Sequence, residues 1–198
     1  MKNCNRVMFS LAIATLSNQA LATTFSERVE AIDKIDSKFE QKIYDNNEQV
    51  IQESSGIFEL DERYGFNWKV SDPYSEEIVF DKNKIYIHDP DLEQVRVDNI
   101  ENNNQFLSIF FNNDNFEENF HDEKIGEDSY IVTPVEKKLD MKYIIRFKNQ
   151  TLDEVVMEDG VSQKTVISFE HNIPKKDFKE SDFTFELYDN IDVIRSGY

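Results

Sequence analysis

The histidines and the cysteine are the first residues to consider for catalysis or metal binding, because they supply bases, nucleophiles and soft ligands near neutral pH. His88, His121 and His171 are far apart in the chain, with no helical or hairpin spacing to each other or to a serine. Cys4 is the only cysteine. No G-x-S-x-G, H-E-x-x-H or glycine-rich phosphate loop occurs. The sequence therefore predicts neither an enzyme nor a cofactor, and an esterase would lack a serine beside a base.

A short acidic segment, Asp89-Pro90-Asp91, could suggest a divalent cation. Two carboxylates beside a proline are typical of a tight turn. A calcium site would also need six or more oxygen ligands. We predict a turn here and assign no metal.

Apolar side chains offer a different chemistry, the binding of a hydrophobic ligand. Phe66 and Trp68 are two residues apart in a run with strand character, so they point to the same face. The run NNQFLSIFFNN at Asn103–Asn113, which contains Phe106 and Ile109, is too apolar for an exposed loop and predicts a short helix pressed on a sheet. Core packing more often explains a lone aromatic residue in an alternating strand, so both interpretations stay open.

The charge of the chain limits its partners. It has 40 acidic and 22 basic residues, a net charge of −18 at pH 7. Such a field repels nucleic acid and anionic lipid surfaces, so we expect neither as a partner. An acidic surface can also serve solubility alone.

The first 22 residues differ from the rest. Lys2 and Arg6 form a basic start, Val7–Leu16 is apolar, and an Ala-Leu-Ala sequence ends at Ala22. This pattern predicts a secretory signal peptide cleaved after Ala22. The apolar run is too short to cross a bilayer.

The mature chain is then predicted to be one exported domain, residues 23–198. It would contain no thiol and no disulfide, and no cysteine that could carry a lipid anchor, because Cys4 lies inside the signal peptide. Removing Lys2 and Arg6 leaves 20 basic residues against 40 acidic ones.

Two kinds of periodicity predict the elements of this domain. Apolar residues recur at spacings of three and four from Phe25 to Phe39, which predicts an amphipathic helix over Ser26–Ser37. Period-two alternation between turn residues predicts a series of strands. These strands are Phe39–Tyr44, Gln49–Leu60, Phe66–Val70, Glu77–Phe80, Lys84–His88, Gln94–Val97, Tyr130–Thr133, Lys142–Phe147, Glu154–Glu158, Thr165–Glu170 and Thr184–Leu187.

These elements predict a mainly β, α+β fold with a single large antiparallel sheet of about ten strands. A sheet of this size tends to curl. Covered by an N-terminal helix and a short second helix, it would enclose a concave apolar interior.

The segment GIFELDERYGFNWKVSDPYSEEIVFDKNKIYIHDPDLEQVRV, at Gly56–Val97, resembles the LolA family of outer-membrane lipoprotein carriers. The similarity rests on FNW at Phe66–Trp68, on IVFD at Ile78–Asp81 and above all on YIHDPDLEQVRV. It extends over essentially the whole mature chain, through SKFEQKIYD at Ser37–Asp45, YIVTP at Tyr130–Pro134 and FTFELYDNIDVI at Phe183–Ile194.

The resemblance implies an incomplete β-barrel closed by helices that act as a lid. It implies a periplasmic chaperone that accepts acylated lipoproteins from the inner-membrane Lol ABC transporter and delivers them to a LolB-like outer-membrane receptor. No enzymatic activity and no cofactor are implied. Nothing in the sequence indicates self-association, so we expect a monomer.

The resemblance also assigns site residues. Phe66 and Trp68 match positions that line the family's lipid cavity, and Phe106 and Ile109 match its lid helix. These four residues are the principal predicted lipid-binding site. Four more apolar residues, on the first helix and on the strand after Trp68, are secondary candidates: Val29, Ile32, Ile78 and Phe80.

The chain departs from the family pattern at two places. The family has a basic residue and a proline before the aromatic pair, and its arginine bonds to the lid, whereas this chain has Asp61-Glu62-Arg63-Tyr64. A gapless alignment places Glu62 at that position and a one-residue shift places Arg63 there; we assign Arg63 as the lid latch. Tyr188 and Asn190 replace the usual proline and glycine near the end.

The altered latch segment keeps a second hypothesis open. In it, the chain is a LolA-like periplasmic binding module for another lipid or amphiphile, or a sensor of envelope stress.

Overall fold

A computed structural model describes residues 23–99, 109–110, 116–136, 141–149, 151–161, 163–170 and 177–195. The predicted signal peptide and Phe106 lie outside these residues. The first helix, α1, is Phe25–Glu30, and the second, α2, is Phe116–Asn119. A 3-10 helix covers Glu180–Phe183. The strands are β1 Lys34–Tyr44, β2 Val50–Asp61, β3 Gly65–Asp72, β4 Glu76–Phe80, β5 Lys84–Asp89, β6 Gln94–Asn99, β7 Phe120–Gly126, β8 Ser129–Pro134, β9 Lys142–Lys148, β10 Thr151–Glu158, β11 Lys164–Glu170 and β12 Asp192–Arg195.

The strands of the described residues form one sheet in the order β12-β6-β5-β4-β3-β2-β1-β11-β10-β9-β8-β7. Neighbouring strands run antiparallel, except that β12 runs parallel to β6. The sheet is strongly curved and remains open between β12 and β7. This architecture confirms the predicted mainly β fold with an incomplete barrel.

The N-terminal helix is shorter than the periodicity predicts. A capping box at Thr24 and Glu27 starts α1, but the chain becomes extended at Lys34. The prediction of helix as far as Ser37 was therefore wrong. Ile35 and Phe39 belong to β1, whose backbone is hydrogen-bonded to β2 and β11 on its two sides. Pairing with two distant strands outweighs the local helical spacing.

Two further differences concern the edges of the sheet. The predicted strand Thr184–Leu187 has no regular secondary structure, and the last strand is β12. The sequence prediction also missed β7, in which only Phe120 is buried and the next six residues are exposed. An edge strand with a charged, exposed surface lacks the apolar alternation by which strands are recognised.

The main core fills the concave face of the sheet. Phe25 of α1 contacts three aromatic rings, with centroid distances of 5.2 Å to Phe116, 5.5 Å to Tyr130 and 6.0 Å to Phe147. Ile109 is fully buried in this core and adopts helical conformation together with Phe110. The remainder of the helix predicted at Asn103–Asn113 lies outside the described residues.

A second apolar layer covers the outer face of β4 to β6. The C-terminal segment crosses this face, and Phe185 stacks on Tyr86 with ring centroids 5.5 Å apart. Phe183 is 1% exposed and contacts the Phe178 and Tyr64 rings. The apolar alternation that suggested a strand at Thr184–Leu187 therefore reflects packing on the outside of the sheet.

No helix within the described part of the chain has both the length and the apolar character needed to cross a membrane.

A candidate ligand-binding cavity

The concave face contains a cavity of about 370 Å³ between β1–β4 and β10–β11. It lies toward the end of β1 that is farther from α1, since Gln41 is its β1 lining residue. Most of the lining is apolar. The lining residues are Gln41, Gln52, Ser54, Phe66, Trp68, Val70, Pro73, Tyr74, Glu76, Ile78, Met157 and Ile167.

Three of the predicted site residues border this cavity: Phe66, Trp68 and Ile78. They lie on β3 and β4, where Trp68 and Ile78 are directly opposite each other in the antiparallel register. Phe66 and Trp68 point to the same face because they are two residues apart in one strand. An extended ligand could therefore contact all three side chains along one wall.

The other predicted site residues that the structure describes lie in the adjoining core. Val29, Ile32, Phe80 and Ile109 are buried there and are not part of the cavity lining. Phe106 lies outside the described residues.

Three aromatic rings that the sequence prediction did not assign to the site pack around Trp68, next to the cavity. The Trp68 indole is 9% exposed and stacks on Phe39, with ring centroids 3.8 Å apart. Phe58 and Phe169 complete this cluster, at 5.4 Å and 6.4 Å from the indole. The rings belong to the buried core, and Trp68 is the member of this cluster that borders the cavity.

The lining also has a polar side that sequence reasoning missed. Gln41 and Ser54 are opposite each other on β1 and β2, Gln52 lies two residues from Ser54, and Glu76 begins β4. The sequence could have indicated this polar side. Side chains alternate between the two faces of a strand, so Gln41 points to the same face as Ile35 and Phe39. A polar residue at an inward position of a strand is uncommon in a filled core.

The predicted latch residue Arg63 lies in the turn between β2 and β3. Its Nε donates to Asp61 Oδ1 at 2.9 Å and one terminal nitrogen donates to Oδ2 at 2.7 Å. The Asp61 side chain is 1% exposed and that of Arg63 is 56% exposed. The hydrogen bond from Arg63 lowers the pKa of Asp61 against the opposing effect of burial, and the pKa of Arg63 is raised in turn.

Backbone contacts connect this turn to the start of the sheet. Lys34 is the register partner of Asp61, and the Glu62 backbone N–H donates to the Asp33 carbonyl at 3.0 Å. The Arg63 guanidinium lies over the Tyr64 ring, 4.8 Å from its centroid. Arg63 is thus held beside the connection between α1 and β1.

The Asp89-Pro90-Asp91 segment forms the predicted turn between β5 and β6. Asp89 Oδ1 accepts hydrogen bonds from the backbone N–H groups of Asp91 and Leu92, both at 3.0 Å. Among the residues described here, no three His, Cys, Asp or Glu side chains converge as a metal site would require.

Comparisons with known proteins point to one family. The family model described as "Outer membrane lipoprotein carrier protein LolA" matches residues 30–186. A protein of Chromohalobacter salexigens named outer-membrane lipoprotein carrier protein is 34% identical over 176 residues, covering 85% of this chain and 84% of its own length. Proteins of the same name from Francisella philomiragia and Hahella chejuensis are 27% and 26% identical, covering 84% and 94% of this chain and 84% and 93% of their own lengths.

Among solved structures, an uncharacterized conserved protein from Thermus thermophilus superposes with a TM-score of 0.48 and 10% sequence identity, covering 87% of this chain and 97% of that chain. This likeness carries no functional information.

Proposed function

The chain belongs to the LolA family of outer-membrane lipoprotein carrier proteins, and on this premise we propose that it carries lipoproteins through the periplasm with their acyl chains in the cavity bounded by Phe66, Trp68 and Ile78. Carriers of this family are chaperones and not enzymes. The observation that supports the proposal most directly is an apolar wall on the concave face, beside a partly open cavity.

The free energy of acyl transfer explains why such a cavity is required. Each methylene moved out of water is worth about 0.8 kcal/mol, so a triacylated anchor left in water would cost on the order of tens of kcal/mol. A carrier that encloses the chains removes most of this cost. The cavity need not bind them maximally, because it must also release them.

The handover partners are part of the proposal. We propose that the carrier receives lipoproteins from the inner-membrane Lol ABC transporter and releases them to a LolB-like outer-membrane receptor. At each step the acyl chains move from one apolar site to another, so most of the transfer free energy cancels. Small differences between the sites then set the direction. Export to the periplasm would follow from a signal peptide cleaved after Ala22.

The size of the cavity leads to a proposal for how it opens. A volume of about 370 Å³ is near the lower end of typical ligand pockets, and the Phe39–Trp68 stack fills the space beside it. We propose that these rings separate to admit further acyl chains. The segment containing Phe106 and Ile109 would form the lid, and the adjoining core residues Val29, Ile32 and Phe80 would line the enlarged space.

Arg63 would act as the lid latch in this proposal. Two of its N–H groups bind Asp61, and the guanidinium is about half exposed. The remaining N–H groups can donate to carbonyl oxygens at the edge of the lid. Asp61 would hold the guanidinium in position for this contact.

The experiment adds the purified mature protein, residues 23–198, to spheroplasts and follows newly made outer-membrane lipoproteins. We expect them in the soluble fraction in complex with the protein. If they stay on the inner membrane while an established carrier of the family releases them in parallel, the proposed function is wrong.

A further inference from the structure

The charged group described in the cavity lining is negative. Among the lining residues that the structure describes, Glu76 supplies a carboxylate and none is basic. The whole chain has a net charge of −18, so the surrounding field has the same sign. A ligand with an anionic head at the mouth of the cavity would be repelled by Glu76 and by this field.

The polar part of the cavity lining, on β1 and β2, contains hydrogen-bond donors. Gln41 and Ser54 face each other across β1 and β2, and Gln52 is the next inward residue along β2. Ser54 is 7% exposed. In the part of the chain that the structure describes, these three side chains make no hydrogen bond to other protein groups. Their amide N–H and hydroxyl groups can donate to an uncharged carbonyl oxygen.

The polar and apolar parts of the lining are placed so that one ligand can use both. Trp68, Ile78 and Ile167 contribute apolar surface, whereas Gln41, Gln52 and Ser54 lie beside it on β1 and β2. A hydrocarbon chain on the apolar wall would bring the carbonyl at its head to the three donors. An ester or an amide provides such a carbonyl without a charge.

We propose that this cavity selects uncharged acyl groups, linked as esters or amides, over free fatty acids and other anionic amphiphiles. Gln41, Gln52 and Ser54 bind the acyl carbonyl, and Glu76 disfavours a carboxylate or phosphate head group. The proposal deepens the proposed function and depends on it. It gives a periplasmic acyl carrier a means to leave free fatty acids and anionic phospholipids unbound.

Trp68 provides the measurement, because it is the only tryptophan of the chain and borders the cavity. The folded protein is titrated with methyl decanoate, sodium decanoate and decyl methyl ether, which share a chain of ten carbons, counting any carbonyl carbon, but differ in charge and in the presence of a carbonyl. Indole fluorescence and calorimetry report binding. At low salt and pH 8 we expect the ester to bind about tenfold more tightly than the acid, with the difference shrinking as salt screens the repulsion.

Two variants test whether repulsion comes from the position of Glu76 at the cavity or only from the net charge of the protein. Glu76→Gln should strengthen decanoate binding about two- to fivefold, as expected for exposed charges, and leave the ester unchanged. The matched control is Glu40→Gln, because Glu40 is exposed on the opposite face of β1 beside Gln41. It should change neither affinity.

A third variant tests the carbonyl subsite. The double variant Gln41→Leu with Ser54→Ala should weaken ester binding about fivefold, as expected for lost neutral hydrogen bonds. Ether binding should weaken less, because an ether oxygen is a weaker acceptor than an ester carbonyl. Its unfolding midpoint is measured alongside. If it does not fold, the comparison of ester with ether in the unaltered protein decides the point. The ester carbonyl is a stronger acceptor than the ether oxygen, so the ester should bind more tightly.

The results of these titrations show whether the selectivity alone fails or whether the proposed carrier function fails with it. If none of the three compounds binds by either method, the cavity does not take acyl chains and both proposals fail. If all three bind with similar affinity and Glu76→Gln has no effect, the acyl carrier stands and the selectivity is overturned.

Discussion

The Phe39 ring on β1 stacks on the Trp68 indole on β3 with centroids 3.8 Å apart, although β2 lies between the two strands. The rings meet beside Gly56, the register partner of Phe39 on β2. A Cβ at Gly56 would lie 3.0 Å from the Phe39 ring and 1.9 Å from the Lys69 carbonyl oxygen. The missing side chain at Gly56 therefore leaves room for the Phe39 ring to stack on Trp68, which borders the cavity.

Replacing Gly56 by alanine should destabilise the protein. The added Cβ must displace the Lys69 backbone, and overpacking of this kind costs about 3 kcal/mol. Urea unfolding followed by Trp68 fluorescence measures the change. The control is Gly126→Ala, whose Cβ would meet the Ser129 Cβ at 3.3 Å in an exposed hairpin and should change stability by less than about 0.5 kcal/mol. Equal midpoints for both variants would contradict the steric role of Gly56.

A charge on the apolar wall of the cavity should reduce ligand binding. Ile78→Asp places a carboxylate among the apolar lining residues, and we expect at least about a tenfold loss of affinity for a lipidated peptide, because buried charge and lost apolar contact both oppose binding. Calorimetric titration gives the affinity. Ile57→Asp is the matched control, since Ile57 is 39% exposed on the outer face of β2. A similar loss in both variants would remove Ile78 from the site.

The Asp61–Arg63 pair should make stability depend on pH. The pKa of Asp61 is lowered from its usual 3.8, so the folded state favours the ionised carboxylate. The resulting stabilisation is fully present above the unfolded pKa and is lost as the pH falls through the lower folded pKa.

Asp61→Asn should therefore be less stable than the unaltered protein by about 1–3 kcal/mol at neutral pH. The difference should decrease as the carboxylate of the unaltered protein is protonated, below about pH 4. Urea unfolding at a series of pH values tests both points. Asp91→Asn, at an exposed turn position, should follow the unaltered protein throughout. A loss that is the same at every pH would show that ionisation of Asp61 is not its cause.

The apolar layer on the outer face should contribute to stability independently of the cavity. Phe183→Ala removes a ring that is 1% exposed, at an expected cost of about 3–5 kcal/mol. Leu187→Ala, at a residue 50% exposed in the same segment, should cost less than about 0.5 kcal/mol. Thermal unfolding compares the two. Ligand affinity of folded Phe183→Ala should be unchanged, and a large loss of affinity would indicate coupling between the two faces.

Strands were predictable from the sequence where one face is buried and the other is exposed. Phe66 and Trp68 were recognised as sharing a face, because alternation is a local property of extended chain. The β7 strand was not recognised, since its residues after Phe120 are exposed and most of them are polar or charged. The extent of the first helix was also wrong, because Ile35 and Phe39 satisfy both a helical spacing and an alternating one.

The sequence by itself determined the strand-rich composition, the family resemblance and the face that Phe66 and Trp68 share. Only the tertiary structure decided that Phe39 stacks on Trp68 and that Gln41 faces Ser54 beside the cavity. The reason is physical: alternation is set within one strand, whereas contacts between strands depend on register, on curvature and on the room left by Gly56. These are properties of the assembled sheet, to which residues far apart in the chain contribute.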